Sequence, residues 1–285
     1  MKCNYDWKDY EIIGTGDGQK LERWGSVYLL RPDPQVIWPM QNNLSKYSKL
    51  NARYSRSSTG GGKWEILKPF KDEWTISWKN LKFKIKPMGF KHTGLFPEQA
   101  VNWDLMINLI KQANRPIKVL NLFAYTGGAT VACASAGASV THVDASQGMV
   151  DRAKENAKLS GLSDAKIRYI VDDCEKFVKR EIRRQNFYDA IIMDPPSYGR
   201  GPNGEMWKLE NNIFQFVKLC SSVLSDKPLF VLINSYTTGL QPTVMENILK
   251  LALNVKSDII ADEIGLQTDE GIILPCGCSA IKIYK

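Results

Sequence analysis

The sequence predicts an α/β protein: a parallel sheet covered by helices on both faces, preceded by a smaller β-rich domain. Two observations carry this. From about residue 98 onward, short apolar and often β-branched runs alternate with helix-like stretches, the rhythm of strand–helix–strand units. Over residues 1–90 the runs are shorter, alternate with period two and are broken by turn residues. The predicted division is 1–90 and 91–285.

In the first segment, Gly14-Thr15-Gly16-Asp17-Gly18 is a turn cluster and residues 23–30 read as one strand, ended by Arg31-Pro32-Asp33-Pro34. Ser57 to Gly62 is a glycine-rich turn or loop. Residues 74–78 and 81–86 form a hairpin about Lys79-Asn80, with Lys82, Lys84 and Lys86 on one side of the second strand. In the second segment a helix is expected over 98–112. Strands follow at 118–123, 140–143, 166–171, 190–193, 229–233, 258–264 and 279–283, with intervening helices at 130–136, 147–159 and 175–184.

Composition narrows the function classes. The 285 residues are 44% apolar and 24% charged, enough for a folded core, which excludes a wholly disordered chain. No apolar run reaches the ~18 residues of a membrane span, and the first residues do not resemble a secretory signal, so a soluble, cytoplasmic protein is expected. The six cysteines have no CxxC spacing and only His92 and His142 accompany them, so no metal site is expected. The net charge is +8, of which +7 falls on residues 1–90, as do six of the eight tryptophans. A basic, aromatic unit suits phosphate and base contacts, as in RNA. It equally suits a small β domain with tryptophan inside and lysine outside. Oligomeric state, monomer or homodimer, stays open.

In a parallel sheet the chemistry lies in the loops after the strands. After the first strand, Asn121 to Thr130 contains a Gly127-Gly128 turn where a ligand can approach the backbone. The spacing is not G-x-G-x-x-G, which argues against a dinucleotide. After the second strand, Asp144 is placed to accept ribose hydroxyls, about 20 residues beyond the first loop. Asp144 or Ser146 suits a helix N-cap as well. After the third strand, Asp172-Asp173-Cys174 offers a carboxylate for an exocyclic amine, or again an N-cap. After the fourth, Asp194-Pro195-Pro196-Ser197 makes a stiff corner at which a planar substrate can sit. The loop from Tyr198 to Glu210 follows, with Arg200, Trp207 and Lys208.

Together these loops resemble those of the class I S-adenosylmethionine methyltransferases. The closer likeness is to the bacterial large-subunit rRNA cytosine-C5 methyltransferases and their relatives. It rests on Gly89 to Gln99, which resembles that branch's Lys-Thr-Gly-(aromatic)-x-x-Asp-Gln stretch. It rests also on Asn121 to Gly128 and on Asp194-Pro195-Pro196-Ser197, and it covers about residues 80–285. The resemblance implies a Rossmann-like seven-stranded sheet with its last strand antiparallel. It places Asn121, Phe123, Tyr125, Thr126 and Gly127 at the methionine end of the cofactor, Asp144 with Ala145 and Ser146 at the ribose, and Asp173 with Cys174 at the adenine. Thr93, Phe96 and Gln99 would close the site, and Asp194 and Pro195 would line the transfer cleft. Pro196, Ser197, Tyr198, Arg200 and Tyr236 would meet the substrate, a base in RNA, with rRNA favoured over a protein or small molecule; the further alternative is a protein that binds S-adenosylmethionine and RNA without catalysis.

Three departures stand out. Glu98 replaces the branch's Asp and Ala100 its Arg. The loop Asn234-Ser235-Tyr236-Thr237-Thr238-Gly239-Leu240 lacks the cysteine that branch carries after the fifth strand. Cytosine C5 is a weak nucleophile that is activated by thiolate addition at C6. Cys276, just before the last strand, is the candidate replacement; the alternative is that it and Cys278 pack.

Overall fold

Strands buried on both faces form the centre of the larger of two units, in a computed structural model of the chain. The structure describes residues 1–57, 61–89, 91–200, 206–237, 239–256 and 259–284, the side chain of Arg200 excepted. Residues 58–60 of the glycine-rich turn, Phe90, Thr238 and Asp258 lie outside the described residues.

In chain order the elements are β1 (Lys2–Cys3), β2 (Tyr10–Gly16), β3 (Gln19–Trp24), β4 (Val27–Pro32), β5 (Ala52–Arg56), β6 (Gly62–Ile66), β7 (Trp74–Trp78) and β8 (Leu81–Ile85). Then follow α1 (Ala100–Gln112), β9 (Lys118–Leu122), α2 (Gly128–Ser135), β10 (Ser139–Asp144), α3 (Gln147–Leu159), β11 (Ile167–Val171), α4 (Cys174–Arg183) and β12 (Ala190–Met193). The chain ends with β13 (Tyr198–Arg200), β14 (Met206–Lys208), α5 (Leu209–Ser221), β15 (Phe230–Ser235), α6 (Pro242–Ala252), β16 (Ile259–Gln267) and β17 (Ile273–Ile283).

The larger unit comprises Met1–Lys2, Val101–Ile264 and Gly277–Lys285. Its sheet runs β1-β16-β17-β15-β12-β9-β10-β11. The seven expected strands are present, and the two-residue β1 makes an eighth at the edge. β9 pairs in parallel with β10 and β12, β10 with β11, and β12 with β15, whereas β17 runs antiparallel to β15. Every residue of β12 and β15 is buried, as a sheet covered on both faces requires. Leu120, Leu122, Val143, Phe177, Ile191 and Phe216 contribute to the core. The chain leaves β9 toward β10 and β11, then returns to place β12 on the other side of β9. That reversal makes the loops after β9 and β12 the walls of the sheet's switch-point crevice.

The smaller unit comprises Cys3–Ala100 and Gly265–Cys276. It thus reaches ten residues beyond the expected boundary, and residues 265–276 group with it. Glu270 accepts from the Thr15 N–H at 2.9 Å, and Asp269 N–H donates to the Ile12 carbonyl. A five-stranded sheet, β2-β3-β4-β5-β6, lies beside the β7–β8 hairpin in chain order. The expected single strand over 23–30 is two strands instead. Gly25 takes φ +66° and turns the chain from β3 into β4, which the aromatic and aliphatic residues on either side had masked. The β7–β8 hairpin turns at Lys79 and Asn80 as expected.

The tryptophans of this unit are structural. Trp24 and Trp78 are buried, and Trp7, Trp38, Trp64 and Trp74 are half-buried with their indole N–H groups bonded to Pro97 O, Thr15 Oγ1, Met88 O and Trp24 O. A charged cluster sits among them. Glu22 is completely buried. Arg31 holds it through Nε–Oε2 at 2.5 Å and Nη2–Oε1 at 2.7 Å, and the Tyr10 hydroxyl donates at 2.7 Å. Lys20 joins the cluster through Asp33 at 3.1 Å.

Candidate active site

Residues 123–127, between β9 and α2, trace an unusual backbone. Phe123, Tyr125 and Gly127 take φ values of +55°, +50° and +81°. For the first two, as for any side chain, that region is sparsely populated and costs about 1–3 kcal/mol. The surrounding structure over-determines the loop. The Phe123 N–H donates to Cys174 Sγ at 3.3 Å, the Tyr125 N–H to Asp144 Oδ2 at 2.8 Å, and the Gly127 N–H to the Ala124 carbonyl at 2.9 Å. A Cβ on Gly127 would lie 2.8 Å from that of Ala153, and one on Gly128 would meet Trp103 at 2.7 Å, so glycine is required at both.

Asn121 points beneath this loop. Its amide donates to Thr130 Oγ1 at 2.9 Å, and that hydroxyl lies 2.9 Å from His142 Nδ1. Burial lowers the His142 pKa to about 3, so the ring is neutral at physiological pH.

Asp144 ends β10 at the loop's flank. Oδ2 takes the Tyr125 N–H and Oδ1 the Ser146 N–H at 2.9 Å. Burial raises its pKa, and the two backbone bonds act against that rise. Each oxygen retains a further lone-pair direction, the arrangement that suits two adjacent hydroxyls. Ser146 stands at the N-cap of α3 without a side-chain cap bond, with Ala145 between it and Asp144.

Asp173 is the N-cap of α4. It accepts the Lys176 N–H at 2.8 Å, and the carboxylate is exposed. Asp172 pairs with Arg180. Cys174 is buried; it receives the Phe123 N–H and reaches the Val143 carbonyl at 3.9 Å, joining the ends of β9, β10 and β11. Burial pushes its thiol far up, so it acts here as a neutral peg.

Across the crevice, the Asp194 N–H reaches the Leu122 carbonyl at 3.4 Å. Pro195 is buried and Asp194 half-buried, while Pro196, Ser197 and Tyr198 are exposed. The corner is braced from outside. Trp207 Nε1 donates to the Pro196 carbonyl at 2.7 Å, and Thr237 Oγ1 to Ser197 Oγ at 2.6 Å. Trp207 also packs on Phe123, ring centroids 5.6 Å apart, and both lie against Phe216. The β13–β14 hairpin carries the Tyr198 hydroxyl to Met206 Sδ at 3.3 Å; the side chain of Arg200 lies outside the described residues. Tyr236 packs against Gly277, whose Cβ would come within 2.9 Å of its ring.

Thr93, Phe96, Gln99 and Cys276 belong to the smaller unit. Thr93 and Gln99 are buried there, and the Thr93 hydroxyl has no hydrogen-bond partner among the described residues. The Phe96 ring lies 5.6 Å from His92. Cys276 Sγ donates to the Leu274 carbonyl at 3.5 Å, and burial, reinforced by the carboxyl of Glu98, drives its pKa well up. Lys20 acts in the opposite sense without reversing the rise, so these surroundings keep the thiol protonated. Cys278 donates to the Leu240 carbonyl at 3.0 Å, as a packing residue does.

A profile of the S-adenosylmethionine-dependent methyltransferases matches residues 38–237. The chain belongs to this family. A SAM-dependent methyltransferase from Agrobacterium tumefaciens is 32% identical, covers 100% of this chain and 92% of its own, and superimposes with a TM-score of 0.91. The methyltransferase SMU.776, solved with SAH, shares the fold at TM-score 0.76, with 18% identity over 98% of this chain and 76% of its own. Among curated proteins, the ribosomal RNA large subunit methyltransferase K/L of Shewanella frigidimarina is 39% identical over 133 residues, 46% of this chain. The matched segment spans only 18% of that relative's length.

The family's cofactor is S-adenosylmethionine, and the residues present fit it. The half-buried Asp144 carboxylate suits a ribose diol, and the pinned glycine turn lets a ligand reach the backbone. Among the described residues there is no cluster of metal-ligating groups and no helix long and apolar enough to cross a membrane.

Asn156 escaped the sequence reading. Trp207 stands in the loop that the sequence marks after the Asp194 corner, and the structure sets it against Pro196 and Phe123. Asn156 carried a usable signal: it is the polar member of the otherwise apolar buried face of α3, with Val150, Ala153 and Ala157.

Proposed function

We propose that this methyltransferase modifies a base in RNA, with ribosomal RNA the favoured source. The observation that carries the reading is the corner at Asp194-Pro195-Pro196, opposite the loop at 123–127 at the switch point of the sheet. It is braced by Trp207 and Thr237, and its outer residues are open to solvent. The names of the curated relatives support an RNA substrate, and the basic excess of residues 1–90 supports contact with a polyanion.

In this reading Asp144, with Ala145 and Ser146, takes the ribose of the cofactor. Asp173 beside Cys174 takes the adenine amine, and the backbone of Tyr125, Thr126 and Gly127 lines the methionine end. Asn121 supports that loop from beneath. When bound, the cofactor supplies an electrophilic sulfonium methyl. The protein's part is to hold an acceptor in line with it, where orientation provides most of the rate. Asp194 orients an exocyclic amine or ring nitrogen and receives its proton, the Pro195 carbonyl accepts a second amine hydrogen, and Tyr198 with Tyr236 flanks the base. Cys276, half-buried and with its thiol pKa driven up, favours an acceptor with its own lone pair over cytosine C5.

The test is transfer of labelled methyl into total RNA, total protein and metabolite pools from cells lacking the protein. Label in RNA is expected. Label confined to protein or metabolites would refute the RNA assignment. RNA binding should also weaken steeply as salt rises.

A further inference from the structure

Helix α3 does more than follow the ribose acid. It presses on the loop that the proposal assigns to the methionine end of the cofactor. Ala153 lies under Gly127, and one turn on, Asn156, with no solvent exposure, donates its amide Nδ2 to the Thr126 carbonyl at 2.9 Å. Thr126 is itself buried. A buried carbonyl needs a partner, so the peptide between Thr126 and Gly127 has one favoured orientation. Its carbonyl is turned to Asn156 and its N–H to the Ala124 carbonyl. The left-handed Gly127 then begins α2 at a fixed angle.

We infer that Asn156 is a positioning residue of this methyltransferase: by holding the Thr126 carbonyl it sets the backbone of the 123–127 loop in its cofactor-binding form. This rests on the assignment of that loop to S-adenosylmethionine. Asn156 touches no reacting atom and acts through the loop, so its loss lowers cofactor affinity by releasing the Thr126–Gly127 peptide. The amide is the part that matters: a side chain with the same number and branching of heavy atoms but no donor removes the bond to the Thr126 carbonyl.

Two variants test this, with SAH affinity read by calorimetry and folding by near-UV circular dichroism. Asn156→Leu keeps the number and branching of side-chain heavy atoms and removes the donor; its SAH affinity is expected to fall at least about tenfold at every pH. Asn156→Asp can donate only while its carboxyl is protonated. Its affinity is expected to approach the wild-type value near pH 5.5 and to fall progressively toward pH 8.5, while the wild type, normalised at each pH, sets the baseline. His142 beside Gly127 stays neutral across that range and adds no titration of its own. Near-UV circular dichroism at each pH separates this from a merely structural role, in which the recovery of binding would track recovery of the fold. Should Asn156→Leu fail to fold, the pH profile of Asn156→Asp decides. Affinity within twofold of wild type for the folded variants, or a loss in Asn156→Asp that is the same at all pH values, overturns the inference. Gly127→Val serves as the separating control. If it too binds SAH normally, the loop assignment itself has failed; if it alone loses binding, only the role of Asn156 has.

Discussion

Arg31→Met should destabilise the smaller unit more than any single surface change. The substitution removes both contacts to Glu22, at 2.5 and 2.7 Å, and strands a carboxylate that has no solvent exposure. Burial alone would raise the Glu22 pKa; Arg31 and Lys20, with hydrogen bonds from Arg31 and Tyr10, reverse this and hold it at about 2 against an ordinary 4.5. At ~1.36 kcal/mol per unit, that gap is stability on the order of 3 kcal/mol. Because the folded pKa is depressed, this stability is complete above about pH 4.5 and is lost as pH falls toward 2. Breaking a buried pair by removing one partner costs ~3–5 kcal/mol. Urea unfolding at pH 7, followed by tryptophan fluorescence, reads this unit directly because it contains six of the eight tryptophans. Glu22→Gln in the Arg31→Met background should recover part of the loss, since the amide oxygen still accepts from Tyr10 and no charge is stranded. Arg31→Met within about 1 kcal/mol of wild type, or a double variant no better than the single, would refute the argument.

Gly127→Val adds a β-branched side chain at φ +81° against Ala153, so the folded protein should lose at least about tenfold in SAH affinity by calorimetry. Asp144→Ala removes the acceptor for two backbone N–H groups and for the proposed ribose contact; with charge-assisted bonds worth ~1.5–3 kcal/mol, affinity should fall about 100-fold, and an unchanged value contradicts the proposed site. Cys133, Cys174 and Cys220 are buried with raised pKa values, Cys133 to about 12, so a thiol reagent at pH 8 should leave all three unmodified until urea is added. Cys276→Ser should keep methyl transfer, and 5-fluorocytosine RNA should form no covalent adduct with the wild type.

Most of the larger unit was legible because its strands are continuous apolar runs and its helices amphipathic. The helix expected over 147–159 is α3, residue for residue. The four loops could be placed because strand-end position limits what a loop residue can reach. The turn at Gly25 was not legible, since Trp24 and Val27 read equally as one strand or two. Neither was the grouping of residues 265–276 with the smaller unit, which depends on contacts more than 200 residues apart in sequence, such as Thr15 with Glu270. The basic, aromatic character of residues 1–90 proved to have two separate origins. The tryptophans fill and brace the interior, leaving lysines such as Lys46, Lys49 and Lys82 to the solvent. For Asp173, both readings of the sequence survive in one residue: its exposed carboxylate caps α4 and remains open to a ligand.

The grouping of Gly265–Cys276 with the smaller unit has a consequence for biosynthesis. Residues 3–100 depend on a segment synthesised long after them for Glu270, which satisfies Thr15, and for the Thr268 and Asp269 contacts to Ile12. That unit therefore waits for residues 265–276 to emerge, while β9 to β12 and their helices can assemble as they appear. Closing so long a loop is slow because its entropy is lost before the contacts form. A truncated product ending before residue 265 should leave residues 3–100 without their final shape.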